Sequence, residues 1–346
     1  MTEYEKPTLK TPPPPEIAVL DLDSVLFKAA LAPESTKYYG IAPDGTKVGP
    51  FDNAKSYKQW IEDSLEFGGD ILFGYEGDLE ELERIKEVTY DDVKVAYDVF
   101  DRIIKDWVEG SGCKDWVGYI SKGSGVENFR YSVASLRPYK GNRKDMEKPK
   151  FLEEVRAYAK KHPKIKVARG NYEADDAICG LAQKYGIRGC ATSVDKDTLG
   201  AKNTWVYIPD EMDEPLFSSR KIVGRLYRND KGKIVGIGDL FWLFQVLGGD
   251  PVDNYAGCEK YGKEKAFAVL EEFDGVSKDY LEDAVRAVGE CFKKTYGESY
   301  RYKHCTTGED VEASWKDIMI EMCHLVYMRK SQKDRCHFIE IVENLK

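Results

Sequence analysis

The feature that most constrains the fold is a series of short strand-like segments separated by helical patterns. The segments EIAVL, WVGYI, KVA, GCATS and WVYI begin at residues 16, 116, 166, 189 and 205. Several are followed within a few positions by acidic residues. Strands that alternate with helices predict an α/β fold with a mostly parallel central sheet flanked by helices. From about residue 238 to the end, the pattern becomes helical.

This organisation predicts three regions. They are a disordered Pro-rich leader (1–15), an α/β core (16–237) and a helical region (238–346). Within the core we expect an acidic insertion over 33–110, loop-like at 33–75 and helical at 78–109, where apolar residues recur at helical spacings.

Charge is distributed unevenly along the chain. The net charge is −9, yet residues 1–112 carry 12 Lys/Arg and 24 Asp/Glu, whereas residues 113–170 carry 15 Lys/Arg and 6 Asp/Glu. Screening confines each local field to about 8 Å at physiological salt. The basic segment at 122–165 can therefore bind a polyanion although the whole chain is acidic.

The composition indicates a globular protein outside the membrane. Hydrophobic residues make up 42% of the chain, and no apolar run approaches the roughly 18 residues of a membrane span. The N-terminus lacks the basic-then-apolar order of a signal peptide. The eight cysteines form no C-x-x-C pair, so we expect reduced thiols in a cytoplasm.

Acidic side chains follow four of the predicted elements. They are Asp21 and Asp23; Glu173, Asp175 and Asp176; Asp195 and Asp197; and Asp250 and Asp253. Ligands of open α/β sheets bind at the carboxyl ends of strands. Oxygen-only ligands suit Mg²⁺ or Mn²⁺, and two such ions are a common apparatus for phosphodiester hydrolysis. The alternative is that each group is an ordinary helix N-terminus or polar turn.

Five motifs together resemble the 5′→3′ exonuclease/flap endonuclease family, particularly its bacteriophage members. In chain order they are VLDLDSVLFKA, FRYSVASLRPYKGNRKD, GNYEADDAICGLA, SVDKDTL and GGDPVDNYAGCEKYGKEKA, spanning roughly residues 17–275. The resemblance implies a PIN-like 5′-nuclease core. It also implies a helical arch in the basic segment and a helix–three-turn–helix from Gly238 to about Phe273, which would hold duplex DNA, sometimes with a K⁺ ion.

The resemblance also implies roles for individual residues. The implied metal ligands, for two Mg²⁺ or Mn²⁺ ions, are Asp21, Glu173, Asp175, Asp176, Asp195, Asp197, Asp250 and Asp253. The implied catalytic cations are Lys28, Lys140 and Arg143. The implied DNA-binding residues are Arg137, Tyr139, Lys140, Arg143, Lys144, Gly257, Lys260, Gly262, Lys263 and Lys265. Basic residues neutralise phosphates and an aromatic ring can stack on a base.

The sequence departs from the family pattern in two places. Many members carry a further metal-binding Asp after the strand that WVGYI represents, where this chain has Ser121. The usual G-x-G of the duplex-binding turn reads Lys260-Tyr261-Gly262 here, so one glycine is absent.

The expected function is metal-dependent hydrolysis of phosphodiester bonds at or near the 5′ ends of duplex DNA. Exonuclease and flap endonuclease activity, and DNA and RNA–DNA hybrid substrates, stay open at this point. The expected setting is viral DNA degradation or primer removal during DNA replication in a bacterial cytoplasm. Protein partners and the oligomeric state also stay open at this point.

Three alternatives remain. VLDLDSVL also fits the first motif of haloacid dehalogenase-type phosphatases, with Asp21 as nucleophile and Asp23 as general acid/base. A DNA-structure-binding protein with impaired catalysis would explain Ser121. The pairs His304-Cys305, Cys323-His324 and Cys336-His337 could bind zinc, although their spacing favours ordinary core residues.

Overall fold

The computed structural model describes residues 12–123, 128–143, 146–273, 280–331 and 333–346. Most of the predicted leader and the predicted DNA-binding residue Lys144 therefore lie outside the described residues. The chain divides into two compact units. The first comprises residues up to Val25, Arg102–Lys148 and Ala159–Lys346, and the second comprises Leu26–Asp101 and Pro149–Tyr158.

The strands are β1 (Ile17–Asp21), β2 (Glu34–Ile41), β3 (Lys47–Phe51), β4 (Glu83–Tyr90), β5 (Asp115–Ile120), β6 (Ile165–Val167), β7 (Gly189–Thr192), β8 (Thr204–Tyr207), β9 (Leu216–Ser218), β10 (Gly224–Arg228), β11 (Ile234–Ile237), β12 (Tyr300–Lys303) and β13 (Asp310–Ala313). The α-helices are α1 (Asp23–Leu31), α2 (Ala54–Phe67), α3 (Val93–Gly110), α4 (Phe129–Val133), α5 (Leu152–Ala159), α6 (Ala174–Tyr185), α7 (Gly238–Gly248), α8 (Lys263–Leu270), α9 (Leu281–Tyr296), α10 (Trp315–Val326) and α11 (His337–Asn344).

A six-stranded sheet forms the centre of the first unit, in the order β6-β5-β1-β7-β8-β9. The first five strands are parallel to their neighbours, and β9 is antiparallel to β8. Asp21 lies beside Tyr119 in this register, and Leu20 lies beside Thr192. The predicted α/β fold with a mostly parallel sheet is confirmed.

Burial explains why these elements form. Ala18, Val19 and Leu20 of β1 are fully buried, as expected for a parallel strand covered on both faces. Helix α7 is buried over nearly its whole length, which explains its continuous apolar sequence. Its Trp242 ring lies against Gly200, where an added Cβ would come within 1.8 Å of the ring.

The C-terminal region is less uniformly helical than predicted. An antiparallel hairpin of β12 and β13 separates α9 from α10. Tyr300 and Tyr302 alternate with charged residues on β12, a two-residue period that was hidden between longer helical patterns. The structure also groups the predicted C-terminal region and the sheet in one compact unit.

The second unit contains a three-stranded antiparallel sheet in the order β3-β2-β4. Its core consists of Val48, Phe51, Tyr57, Trp60 and Leu79, contributed partly by α2. The loop-like prediction for 33–75 was therefore wrong, because the Gly and Pro residues there flank strands and a helix.

The helical prediction for 78–109 was correct only for its second half. Helix α3 begins at Val93, whereas residues 83–90 form β4, paired with β2 along its whole length. Leu79, Leu82 and Ile85 have a three-residue spacing that resembles a helix, but cross-strand pairing determines the local structure.

The helices of the predicted arch region are short. Helices α4 and α5 lie in the 122–165 segment, and residues 149–158 group with the second unit. The arch therefore stays a prediction. Among the described residues, no helix combines the length and apolar character needed to cross a membrane.

Candidate active site

Asp21 ends the central strand β1 and lies at the carboxyl edge of the sheet. Its Oδ2 accepts a hydrogen bond from Ser193 Oγ at 2.9 Å, and its Oδ1 accepts one from the Asp23 N–H at 3.1 Å. Burial raises the pKa of Asp21 to about 7, and the charges of Asp23 and Asp195 add to the rise. The site thus places a carboxyl group where its negative charge is disfavoured unless a cation is near.

The turn after β7 carries the next two carboxylates. The Asp195 carboxylate accepts the Asp197 N–H at 2.9 Å, and the Asp195 N–H donates to Ser193 Oγ at 2.9 Å. Ser193 therefore joins this turn to Asp21. Asp197 is buried, and burial together with the Asp195 charge raises its pKa well above the usual range.

Glu173 and Asp175 lie at the start of α6. The Asp175 carboxyl is buried and accepts the Asp176 N–H at 2.8 Å. Burial, then the charges of Glu173 and Asp176, raise the pKa of Asp175 well above the usual range. Helix N-termini normally favour carboxylates. At Asp175, burial together with the neighbouring acidic charges outweighs that local preference.

Asp176 differs from its neighbours because a buried arginine neutralises it. Both of its oxygens accept hydrogen bonds from the Arg130 guanidinium at 2.8 Å, and both side chains are fully buried. Oδ1 also accepts the Arg329 N–H at 2.9 Å. Arg130 further donates to the carbonyls of Leu325 and Tyr327, at 2.9 and 3.0 Å. Asp176 therefore ties α6 to the chain after α10, and the structure separates it from the carboxylates without a cation.

The Tyr139–Arg143 segment crosses the same edge. Lys140 Nζ lies 2.7 Å from Glu173 Oε1, and the Tyr139 hydroxyl lies 3.0 Å from both Glu173 Oε2 and Asp253 Oδ2. Burial opposes the Lys140 charge, but Glu173, Asp253 and Asp175 raise the pKa of Lys140 above its usual value. Lys140 has a φ of 51°, a strained backbone conformation for a side chain with a Cβ.

The segment after α7 supplies the last two carboxylates. Arg143 lies 2.9 Å from Asp253 Oδ1, and Lys196 forms an ion pair with Asp250. The Lys140 N–H also donates to the Asp253 carbonyl at 2.9 Å. Burial raises the pKa of Asp253 despite the nearby Lys140 and Arg143 charges. The basic motif and the GGDPVDN motif are thus in direct contact.

The carboxylates of four chain segments act on one another electrostatically. Burial raises the pKa values of Asp21, Asp175 and Asp253. The charge of Asp195 further raises those of Asp21 and Asp253, and the charge of Glu173 further raises those of Asp175 and Asp253. Acidic groups that are distant in the sequence therefore influence one another in the folded chain, and their role as metal ligands stays a prediction.

Some features of this site match the requirements of a divalent metal ion, and others do not. Buried oxygen donors with raised pKa values match the ligand chemistry of Mg²⁺ or Mn²⁺, and a cation would relieve their mutual repulsion. Within the described residues, however, no group of three or more His, Cys, Asp and Glu side chains is arranged to hold a metal. Lys140, Lys196 and Arg143 pair with three of the carboxylates instead.

Comparison with known proteins agrees with the motif-based resemblance. No family model matches the chain. The curated "5'-3' exonuclease" of Aquifex aeolicus (strain VF5) is 28% identical over 155 residues, which are 43% of this chain and 51% of that protein. Over that stretch the chain is similar to a 5′→3′ exonuclease. It spans about half the length of the curated relative it matches.

Solved structures of bacteriophage T5 proteins are also similar. One, co-crystallised with metal ions, is 18% identical, covers 56% of this chain and 87% of its own, and has a TM-score of 0.34. A T5 flap endonuclease complex with DNA and metal ions is 15% identical, covers 71% and 91%, and has a TM-score of 0.33. TM-scores this low carry no argument about the site of this protein.

Asp23 occupies the place next to Ser121, where the family pattern has an additional Asp. Its two carboxylate oxygens accept the Ser121 N–H at 3.0 and 3.2 Å, and Ser121 Oγ accepts the Ala174 N–H at 2.9 Å. A carboxylate therefore does lie beside the end of β5, but it belongs to Asp23, which follows β1, and not to a residue that follows β5.

The remaining predicted DNA-binding residues lie mostly on the surface. Arg137, Lys260, Lys263 and Lys265 are exposed. Lys28 is also exposed, but it belongs to the second unit, so its role near the scissile phosphate stays a prediction.

The connection between α7 and α8 requires a glycine at position 257, and it has a lysine, Lys260, where the family pattern has another glycine. Gly257 has a φ of 64°, and an added Cβ would lie 2.3 Å from the Gly249 nitrogen. Gly262 has a φ of −78° and open space around a Cβ. Lys260, at the position of the missing glycine, has a φ of 70°, so the left-handed conformation is kept without the glycine that would make it easy.

The C-terminal Cys and His residues have partners other than a metal. Cys323 and Cys336 are buried in the core. His337 Nε2 lies 3.0 Å from Asp239, and His324 Nδ1 lies 3.0 Å from Arg329. Burial and then Arg329 lower the pKa of His324 to about 4. These contacts favour the structural interpretation over a zinc site.

Sequence patterns did not identify three residues that shape this site. Arg130 neutralises Asp176, Lys196 pairs with Asp250, and Ser193 joins Asp21 to the following turn. Only a basic residue between apolar neighbours, as in FRYSV, could have pointed to Arg130, since a buried position there requires an acidic partner.

Proposed function

We propose that this protein hydrolyses phosphodiester bonds at or near the 5′ ends of duplex DNA, as a metal-dependent nuclease. The observation that carries the proposal is the meeting of carboxylates from four chain segments beside Lys140 and Arg143. The 5′→3′ exonuclease named among its relatives supports the same activity.

The carboxylates best suited to hold divalent ions are those whose charges lack a buried cationic partner. Asp21, Asp175 and Asp197 have strongly raised pKa values, and Asp195 lies between two of them. Asp253 would join when Arg143 turns towards a phosphate. Glu173 would join when Lys140 does so, and it would keep a longer contact with Arg130, 3.4 Å from its Oε2. We leave Asp176 out of this set, because Arg130 holds both of its oxygens, and we assign Asp250 a secondary role because it pairs with Lys196.

Two Mg²⁺ or Mn²⁺ ions, when bound, would supply the positive charge that favours attack of water on the phosphodiester and stabilises the leaving oxygen. The protein's own cations contribute in a different way. Lys140 and Arg143 lie on carboxylates and can exchange these partners for phosphate oxygens, which are equally good acceptors for charged donors. Tyr139 is buried beneath them, so we assign it to positioning Glu173 and Asp253 rather than to stacking on a base.

The α7–α8 segment is the proposed contact to the duplex, as a helix–three-turn–helix. Its left-handed residues Gly257 and Lys260 turn the backbone sharply, and exposed lysines on α8 provide sequence-independent phosphate contacts. A K⁺ ion in this turn belongs to the same proposal. Flap cleavage, activity on RNA–DNA hybrids, and a role in DNA replication or viral DNA degradation in a bacterial cytoplasm are further parts of it.

A product-length assay tests the proposal. Labelled 5′-flap, nicked and blunt duplexes, and an RNA–DNA hybrid, would be incubated with Mg²⁺, Mn²⁺ or EDTA. We expect short products from the 5′ end that require the metal. Asp175→Asn should lower cleavage at least about a thousandfold while DNA affinity is kept, because the electrostatic contribution to catalysis is of that size.

The matched control is Asp230→Asn, which changes an exposed carboxylate in the first unit and should cleave normally. Normal cleavage by Asp175→Asn would contradict the metal assignment. The phosphatase alternative predicts the opposite pattern: hydrolysis of a small aryl phosphate that depends on Asp21 and is indifferent to Asp175. DNA binding without cleavage under every metal condition would favour the impaired-catalysis alternative.

A further inference from the structure

The second unit exposes a compact group of apolar side chains at the end of α2. We call Leu65, Phe67, Ile71 and Leu72 the Leu65–Leu72 patch. Their exposed fractions are 47%, 76%, 48% and 66%. Together with Phe73, they make up five of the fifteen large apolar side chains that are exposed in the described part of the chain. Exposure is therefore concentrated in one short stretch, unlike the isolated apolar residues found on most surfaces.

A dedicated network holds this stretch in one conformation. The Asp70 carboxylate accepts the N–H groups of Leu72 at 2.7 Å, Phe73 at 3.1 Å and Tyr75 at 2.7 Å. It also accepts the indole N–H of Trp60 at 2.9 Å. The loop is therefore tied to the aromatic core beneath it, and Ile71 and Leu72 are held outward.

The core side of the loop is equally well defined. Phe73 packs edge-on against Phe51 and Trp60, with ring centroids 5.0 and 5.7 Å apart. Gly68 ends α2 in the left-handed conformation, with a φ of 77°. The apolar residues of the patch are thus presented by a rigid support, and a preorganised surface loses less conformational entropy when a partner binds.

The patch lies within the most one-sided charge segment of the chain. Residues 59–83 contain nine Asp or Glu and no Lys or Arg. Glu62 and Asp63 precede the patch on α2, Glu66 lies between Leu65 and Phe67, and Glu76 and Asp78 follow the patch. A field of this sign repels nucleic acid and attracts basic groups.

We propose that the Leu65–Leu72 patch docks a partner protein through a segment that presents apolar side chains bordered by Lys or Arg. Apolar contacts supply affinity at the centre of such an interface, and the surrounding charges supply orientation and association rate. An amphipathic basic helix meets both requirements. The proposal is independent of the nuclease activity, since it rests on the second unit alone.

The test uses synthetic peptides of about 18 residues, each with a fluorescent label. The first carries a Leu face and a Lys face, the second replaces Lys by Glu, and the third keeps Lys but replaces Leu by Ser. Each peptide is titrated against the full chain while anisotropy is measured. Hydrogen exchange of the full chain then locates the bound surface.

We expect the Leu/Lys peptide to bind and to protect residues 62–78, and the other two to bind at least tenfold more weakly. Phe67→Ser combined with Leu72→Ser should weaken binding at least tenfold. Glu62→Gln combined with Glu66→Gln should weaken it severalfold and reduce its salt dependence. The control is Ile187→Ser combined with Tyr227→Ser, two exposed apolar residues of the first unit, which should bind like the unmodified chain.

Three results would overturn the proposal. The first is equal loss of binding in the patch and control variants, or protection outside residues 62–78. The second is the absence of detectable binding of the Leu/Lys peptide when the protein concentration reaches about 100 μM, because the dissociation constant would then lie well above that concentration. The third is sedimentation showing a dimer that Phe67→Ser with Leu72→Ser dissociates, because the patch would then be an interface between copies of this chain.

Discussion

The strand-end carboxylates of the first unit and the acidic segment 59–83 of the second unit use the same residue types in opposite ways. Asp21, Asp175 and Asp197 come from distant parts of the chain and are buried. The acidic residues of segment 59–83 are adjacent in sequence and mostly exposed. Each member of the first group is affected by burial and by an acidic neighbour: Asp23 at Asp21, Glu173 at Asp175 and Asp195 at Asp197. The second group acts through its summed field.

The difference shows that burial, not the number of charges, decides what an acidic cluster does. In water, like charges a few ångströms apart repel weakly because the dielectric constant is high. At the sheet edge, burial raises the pKa values of Asp21 and Asp175, and neighbouring acidic charges raise them further. A bound cation would relieve this unfavourable arrangement. Such strain commonly accumulates at functional sites.

The largest expected effect comes from breaking the ion pair between Arg130 and Asp176. Arg130→Met leaves a buried carboxylate without a cation and should lower the free energy of unfolding by about 3–5 kcal/mol. Urea denaturation measures this. Arg301→Met, which removes the exposed partner of Glu312, is the control and should change stability by less than about 1 kcal/mol.

A double variant separates the two explanations for that loss. Arg130→Met with Asp176→Leu removes both charges and should recover a large part of the stability, since an apolar pair can replace a buried ion pair. No recovery would mean that the arginine acts mainly through the Leu325 and Tyr327 carbonyls.

The two regions should also respond to pH in opposite directions. Asp21 has its pKa raised from 3.8 to about 7, so the folded state binds its proton more tightly than the unfolded chain. Its favourable contribution is complete below about pH 4 and is lost as the pH rises through 7. In EDTA at pH 8, Asp21→Asn should therefore be more stable than the unmodified chain, by up to about 4 kcal/mol.

The stability contributed by Asp70 should depend on pH in the opposite direction. Burial opposes its charge, but the hydrogen bonds from Leu72, Tyr75 and Phe73 lower the pKa of Asp70 below 3.8. Its contribution is present above that value and is lost as the pH falls through the lowered pKa. Asp70→Asn should be less stable than the unmodified chain at pH 7, and the deficit should shrink in acid. Parallel pH profiles for the two variants would contradict the contrast between the regions.

The smallest expected effect is on the surface of α2. Glu66→Gln changes one exposed carboxylate among many, so thermal unfolding should shift by no more than about 0.5 kcal/mol. A larger destabilisation would show that the acidic segment contributes to folding, and would weaken its interpretation as an interaction surface.

Sequence patterns were informative where local and global preferences agree. The apolar segments at β1, β7 and β8 are buried strands, and the segment at β5 is a partly buried one. The acidic residues after β1 and β7 lie at one edge because neighbouring parallel strands end on the same side. The predictions failed where a local period was misleading, as at β4, whose three-residue apolar spacing resembled a helix.

The amino-acid sequence alone was sufficient for the α/β class, for the chain order of the central strands β1, β5, β6, β7 and β8, and for the acidic residues that follow β1 and β7. These features follow from the spacing of apolar side chains along the sequence and from the local distribution of charge. Three-dimensional packing was needed to show which carboxylates have a cation, because Arg130 and Asp176, and likewise Lys196 and Asp250, are brought together from distant elements. The same is true of the sheet of the second unit and of the left-handed Lys260, since long-range contacts there outweigh local preference.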